Sequence, residues 1–479
     1  MASLPDRSLA RVVTHGSPYA VILKLAAPTV LAMLTQSIVN EIDIVFFSHL
    51  PCPESSNAQA ALLPSLILLW MFGGSLSAIS VGTQALAARR LAEGKPEESG
   101  AVLVNSWFFS LTAGAVFTAL GYACLPLVLR FLIRVPEVRE AAHAYMRWRL
   151  LGIASMAISF SFKSFFDGVG KTHVHMVSAI VMNAINVVLC WAFIFGNGGA
   201  PRMGIGGAGF AGFLSTWIGL AVMVGWAFRA KYRVLYRPFR LAGLDRQITS
   251  KILRLSIPSG VATIAVMTGF ALFSMIVSRL DTMTGATLVS SGCPGGHAEA
   301  VNSAATTVIV GILKLTFTAC LAFGTSTATL VSQSLGEQDG DRAARFGWAS
   351  VRLGLLIFGI VGLLEGVVFP RQLLMVFTSS EAVAHAAMTP LQLMGICTPI
   401  IAVGMILSQA LFGAGNTLFV MIVELILHFT CLVPLAWSLG LTLGYGLVGI
   451  WSAAITYIVL LATAMTVKFA GGDWKTIKI

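Results

Sequence analysis

The sequence predicts an all-α polytopic membrane protein: twelve transmembrane helices in two six-helix repeats, related by an axis along the membrane normal. Three observations predict it. First, 57% of the 479 residues are hydrophobic and only 11% are charged, where a soluble protein carries about 25% charged residues. Second, the apolar residues gather into long runs, and the basic residues into the connections between them. Third, the second half of the chain repeats motifs of the first. The mean hydropathy of +0.85 leaves too few charges to coat about three soluble domains. The same composition excludes disordered, collagen-like and disulfide-scaffold chains, since only 7 residues are Cys. A helix that crosses the hydrocarbon takes about 20 to 25 residues, so twelve leave room for short loops only.

The apolar runs place spans at 19–49, 58–88, 101–130, 140–165, 174–196, 206–228, 253–280, 301–333, 346–370, 385–412, 417–440 and 446–469. Several are long enough to require tilt. Residues 1–17 are polar and lead into span one with no small-residue cleavage site, so no cleavable signal peptide is expected. The 229–254 segment holds eight basic residues, from Arg229 to Arg254. Arg89, Arg90, Lys95, Lys171, Arg342, Arg345 and Lys468 fall on the same side. This excess predicts cytoplasmic termini, and the few loops without an organelle signal point to a bacterial inner membrane. The net charge of +11 is thus read as a topology signal rather than a nucleic-acid footprint. The basic loop is also a candidate surface for anionic membrane lipid.

The repeat is explicit. Leu253-Arg254-Leu255-Ser256-Ile257-Pro258 echoes Leu23-Lys24-Leu25-Ala26-Ala27-Pro28, and Gly413-Ala414-Gly415-Asn416-Thr417 echoes Gly168-Val169-Gly170-Lys171-Thr172. The offsets are 230 and 245 residues, so about 15 residues are inserted in the second copy. The Gly/Ser-rich loop near 284–299 is the expected place. An even number of spans per copy gives both copies the same orientation, as in parallel-repeat transporters. The expected division is an N-terminal lobe over 1–241, with spans one to six and the linker, and a C-terminal lobe over 242–479.

These segments resemble the multidrug and toxic compound extrusion (MATE) family. Asn40-Glu41-Ile42-Asp43-Ile44-Val45-Phe46-Phe47 is similar to its span-one pattern. Gly82-Thr83-Gln84-Ala85-Leu86 and Ala328-Thr329-Leu330-Val331-Ser332-Gln333-Ser334-Leu335-Gly336 are similar to its paired stretches in spans two and eight. The resemblance covers nearly the whole chain. It implies two six-helix lobes in a V. It also implies export of amphipathic, often cationic, compounds by alternating access in exchange for H⁺ or Na⁺, with no cofactor. The family's span-one aspartate corresponds to Asp43, and the span-five asparagine of the DinF-like branch to Asn186. That branch has an aspartate four residues later, where this chain has Cys190. Ser259, Gly260, Val261 and Ala262 follow Pro258, so the glutamate of the NorM-like branch is absent. The DinF-like branch is therefore the nearer match.

A carboxylate inside a span costs several kcal/mol unless paired, neutralised or hydrated. Gln36, Asn40 and Asp43 share one helical stripe, and Asn183, Asn186 and Cys190 share another on span five. A carboxyl withdrawn from water holds a proton more readily, so Asp43 can load and release H⁺. Alternatively, Asp43, Asn40, Asn183 and Asn186 can supply oxygens to Na⁺. Gln36, Asp43, Asn183, Glu424 and His428 are the candidate substrate-binding residues. Glu424, His428 and Cys431 form the matching stripe of span eleven, where a Glu–His hydrogen bond within the helix is the plainer reading. Pro28 removes a helical donor and is the candidate hinge. Lys314 and Glu365 also lie at membrane depth and are expected to be structural.

Other signals are set aside. Gly168-Val169-Gly170-Lys171-Thr172 lacks the first glycine of a phosphate loop, since Phe165 stands there. Cys52 and Cys293 lie in outer loops and can pair only across the lobes. No HExxH, nucleophile elbow or other enzyme or metal motif occurs, so no enzyme is expected. The alternative function is a lipid-linked precursor flippase of the same superfamily, which a single mid-span lysine, Lys314, disfavours. The expected partners are small organic cations or other amphipathic compounds and membrane lipids, with no nucleic acid, and the chain is expected to be a monomer.

Overall fold

Lipid offers no hydrogen bonds, so a spanning chain must pair its backbone groups within each segment, and helices do this. The computed structural model describes residues 17–51, 54–133, 136–284, 287–289, 298–378 and 380–477. Span one is α1 (Pro18–Ser48). Span two is α2 (Glu54–Phe72) followed, after a tight turn over Gly74–Ala78, by α3 (Ile79–Ala92). Span three is α4 (Pro96–Leu132), and span four is α5 (Pro136–Leu151) with α6 (Ile153–Gly168). Spans five and six are α7 (Thr172–Phe195) and α8 (Ile205–Ala227). The linker contains α9 (Ala230–Tyr236).

The second half begins with α10 (Arg246–Thr284) and α11 (Val301–Gly336), spans seven and eight. Span nine is α12 (Gly340–Leu363), which ends in a π-helical turn over Leu364–Val368 before α13 (Pro370–Phe377). Span ten is α14 (Glu381–Ala414). Span eleven is α15 (Thr417–Ile426) and α16 (Val433–Trp437), with π-helical turns over Leu427–Leu432 and Ser438–Thr442. Span twelve is α17 (Gly446–Gly471). Among the described residues, ten helices are individually long and apolar enough to cross a membrane, and counting each of the two bent pairs as one span gives twelve.

Three local features depart from the expected straight spans. Span two bends by 44° at Gly73-Gly74 and span four by 46° at Gly152, where glycines relax the helical ladder. The expected insertion near 284–299 is not wholly irregular: Thr287–Val289 (β1) pairs antiparallel with Ala298–Ala300 (β2). The linker is strapped down rather than loose. Asn105 of α4 donates from Nδ2 to the Gly243 carbonyl at 2.8 Å and accepts from the Asp245 amide and Thr249 hydroxyl at 2.9 Å each. Phe228 stacks on Phe239 at 4.3 Å beside it. The expected lobe boundary at 241/242 falls within this strap.

The halves meet densely near the end of the bundle that carries the C-terminal tail. There α3 crosses α11. Gln84 Nε2 donates to the Thr325 carbonyl and Thr329 Oγ1, both at 2.8 Å. Ser332 Oγ donates to the Ala85 carbonyl at 2.8 Å. Gly168 lies so close to the Gln84 carbonyl that a Cβ would sit 2.7 Å from it, and Gly413 makes the same approach, at 2.3 Å, to the Ala328 carbonyl. Both pairs are related by the repeat, so the close contact of spans two and four recurs between spans eight and ten. Farther along, Ser37 Oγ of α1 reaches Thr318 Oγ1 of α11 at 3.4 Å. Residues 1–16, Cys52 and Cys293 lie outside the described residues.

At the opposite end, Asp281 closes α10 onto α11. Its carboxylate is 4% exposed and accepts from the Asn302 amide and Nδ2 and from the Ser303 amide and Oγ, at 2.6–2.9 Å. Those amides open α11 and would otherwise be unpaired. Asp281→Ala should cost about 2–3 kcal/mol, the range for a buried charge-assisted cap. It should lower the thermal unfolding midpoint in detergent by several degrees, and Asp281→Asn by less. Equal midpoints for all three proteins would rule out this cap as a stabilising contact.

Candidate functional site

The stripe on α7 is placed as its spacing predicted. Asn183, Asn186 and Cys190 are all buried, on a helix packed between α1 and α8. Asn186 Nδ2 donates to Ser215 Oγ of α8 at 3.2 Å, and Cys190 Sγ donates to Asn186 Oδ1 at 3.8 Å. So Cys190 orients the asparagine one turn before it. Asn183 is 4% exposed, yet its Nδ2 has no partner among the described residues. A buried amide left unpaired costs about 1–3 kcal/mol, a cost that a bound water or solute would remove.

On the facing helix, Gln36 is half-buried. Asn40 and Asp43 belong to α1 by their backbone, but their side chains fall outside the described part of the structure. The two expected stripes thus ride on helices that touch, while the approach of Asp43 to Asn186 is not described. Pro28, the candidate hinge, lies inside one unbroken helix, Pro18–Ser48. Beside it, Thr29 Oγ1 donates to the Leu25 carbonyl at 3.2 Å.

The second half gathers a different set. His428 sits in the π-helical turn of span eleven, a wide spot of the kind often found at functional positions. Its Nδ1–H donates to the backbone carbonyl of Glu424 at 2.8 Å. The Glu–His contact within the helix thus runs to the backbone carbonyl of Glu424 and not to its carboxylate. The imidazole meets the Tyr457 ring edge-on at 4.5 Å. From α10, Gly269 allows the close approach: a Cβ there would lie 2.5 Å from His428 Cδ2. Cys431 is also buried and Glu424 half-buried. Glu365 accepts from Thr316 Oγ1 of α11, two residues from Lys314, so its described partner is a hydroxyl.

Sequence reasoning missed one buried charge pair. Lys163 and Asp167 of α6 approach to 3.2 Å, with Asp167 only 1% exposed. His175 Nδ1 of α7 is buried without a described partner. The Asp167 carbonyl accepts from Thr329 Oγ1 at 3.1 Å, so the pair backs directly onto the α3–α11 crossing. The available signal was the i, i+4 Lys–Asp spacing at the end of an apolar span. Tyr457 was missed because one tyrosine in a span makes no pattern. Among the described residues, no three His, Cys, Asp or Glu side chains converge as a metal site.

Twelve spans in two six-helix repeats, with unlike polar clusters buried in each half, define a duplicated helical integral membrane protein. The MatE family model matches residues 28–192 and 295–438, more than half of the chain, and the chain belongs to that transporter family. It is 25% identical over 457 residues to a probable multidrug resistance protein NorM of Thermotoga maritima, covering 95% of this chain and 92% of that one. It is 23% identical to the multidrug resistance protein PmpM of Pseudomonas aeruginosa, over 94% of this chain and 90% of that one. Among solved structures, it superposes on a multidrug resistance MATE family transporter of the MOP superfamily in an outward-facing conformation, with TM-score 0.83, 21% identity and 98% coverage of both chains. A MOP superfamily transporter from Pyrococcus furiosus gives TM-score 0.82, 21% identity and 98% coverage of both chains.

The Lys163–Asp167 pair can be tested alone. Lys163→Met strands a buried carboxylate and should cost about 3–5 kcal/mol. Lys163→Met with Asp167→Asn should recover most of that loss. A double-mutant cycle on thermal unfolding in detergent reads it, and a double variant no more stable than Lys163→Met would show the two groups to be uncoupled.

Proposed function

We propose that the chain is a secondary antiporter that exports amphipathic, often cationic, drugs or toxic compounds in exchange for H⁺ or Na⁺. The observation that carries the reading is the family match across both halves, joined to relatives named for multidrug resistance. Those names favour drug export over the flippase alternative. In this reading the lobes are 1–241 and 242–479, and the termini and the basic linker face the cytoplasm of a bacterial inner membrane. The crossing of α3 and α11 then closes the cytoplasmic end.

The coupling ion binds in the first lobe, at Asp43 with Asn40, Asn183 and Asn186. The supporting observations are the buried asparagines on α7 and the packing of α7 against α1. The DinF-like placement of this site rests on Asn186 and on the missing acid after Pro258. Substrate is held by Gln36, Asp43 and Asn183 on one side. On the other stand Glu424, which draws a cation, and His428 and Tyr457, which offer aromatic faces to it. Ion entry at Asp43 bends α1 near Pro28 and displaces the substrate.

Three measurements test this in proteoliposomes loaded with a fluorescent organic cation. Asp43→Asn should abolish gradient-driven efflux, and undiminished efflux would refute the central role of Asp43. Imposing a pH gradient and a Na⁺ gradient separately on the unmodified chain should drive efflux with one of them and identify the ion. Glu424→Gln should weaken apparent affinity for the cation about tenfold, the scale of one lost charge contact of about 1.4 kcal/mol, and should leave the choice of ion unchanged.

A further inference from the structure

The contacts at the α3–α11 crossing contain a reciprocal pair. Gly82-Thr83-Gln84-Ala85-Leu86-Ala87-Ala88-Arg89 aligns with Ser326-Thr327-Ala328-Thr329-Leu330-Val331-Ser332-Gln333 at an offset of 244 residues, which makes Arg89 and Gln333 repeat mates. Gln333 Nε2 donates at 2.8 Å to the Gly168 carbonyl, the last residue of α6. Arg89 Nη2 donates at 3.3 Å to the Ala414 carbonyl, the last residue of α14. Arg89 Nη1 also donates at 2.7 Å to the Ile477 carbonyl in the C-terminal tail. Each half therefore sends a donor from its second span to the carbonyl end of the fourth span of the other half. Both carbonyls stand where a helix ends and its last acceptors lack helical donors. Both donors are buried. Where the two helices cross, Gly336 sits so close that a Cβ would lie 2.6 Å from the Arg89 carbonyl.

We infer that Arg89 and Gln333 form a two-point latch that holds the two halves shut at this end, each by capping the other half's fourth helix. The inference rests on the antiporter reading for its use: the latch must open when the protein exposes its site to the cytoplasm. The latch itself does not depend on which solute is carried. Separation of the halves strips both carbonyls of their donors at once, so the open state requires water at both. A motion that preserves the repeat symmetry breaks both bonds together, because the repeat relates one to the other. Arg89 and Gln333 are positioning residues, since neither reaches the proposed ion or substrate groups.

Amide hydrogen exchange on the full chain in nanodiscs, without substrate or ion gradient, tests the latch. The readouts are peptides over the two capped turns, 166–172 and 412–418. Gln333→Ala touches only the first turn, yet should speed exchange at both by roughly fivefold, because opening is shared; Arg89→Ala should do so by roughly tenfold or more, as expected for losing one neutral or one charged hydrogen bond. Ser161→Ala removes two bonds wholly within the first half and should leave both turns unchanged. The α10–α11 junction around Asp281 should also keep its wild-type exchange. Faster exchange confined to the touched turn would overturn the latch and leave two ordinary caps. If Arg89→Ala fails to fold, Ser332→Ala supplies the test, since it removes one cross-half bond by deleting one atom; no change at either turn would again overturn the proposal. Because the measurement needs neither solute nor ion, a failed efflux assay and a failed latch are separate results.

Discussion

The dry interior of the membrane is the constraint on which the rest of this structure depends. A polar group there must be satisfied by the protein or by water that the protein admits. At the crossing of α3 and α11 the protein supplies many of these partners itself, and across the halves: Gln84 serves Thr325 and Thr329, Ser332 serves Ala85, and Arg89 and Gln333 serve two helix ends, while Arg89 Nε and Gln333 Oε1 have no described partner. Such an interface has two stable conditions. It is closed with these cross-half bonds made, or open and wet with water in place of each partner. Intermediate separations leave buried groups unpaired, at about 1–3 kcal/mol each. Switching between two discrete packings is what alternating access demands of the end that closes.

Much of the architecture was legible because lipid imposes hydropathy on each span separately. All twelve apolar runs correspond to helices or bent helix pairs, and the offset between the Gly-x-Gly-x-Thr turns located the repeat. The bends at Gly73-Gly74 and Gly152 were not legible, because apolar residues continue through them and a bend changes hydrogen bonding rather than composition. The π-helical turn around His428 was hidden for the same reason. It redirects the imidazole to the Glu424 carbonyl and Tyr457, which an ordinary helical wheel does not show.

Site residues divide along the same physical line. The α7 stripe was readable because Asn183, Asn186 and Cys190 share a helical face, and burial of all three follows. The Lys163–Asp167 pair was not, because charges beside a turn look like solvated loop residues until the tertiary fold buries them. Arg89 looked like a topology signal for a similar reason. It is one of a basic pair with Arg90, but Arg90 turns outward to Glu93, while Arg89 turns inward to the other half. Adjacent positions on a helix point about 100° apart, and only the fold shows which one meets a neighbour.

Comparison of the halves separates frame from chemistry. Gly168 against Gln84 and Gly413 against Ala328 are the same backbone approach made twice, which needs only small residues and a fixed helix crossing. The polar groups on that frame have diverged: Asn183 and Asn186 in one half stand where His428 and Cys431 stand in the other, and Arg89 where Gln333 stands. A symmetric frame supplies a symmetric motion, and with equal groups in both halves a proton or a cation would bias neither. Unequal groups let one half respond to the ion and the other to the solute, while the shared interface obliges both to move together. On the proposed reading, that asymmetry couples the two: Asp43 and the α7 asparagines sense the gradient, and Glu424, His428 and Tyr457 hold the cargo. The cross-half bonds at α3 and α11 carry the response between them.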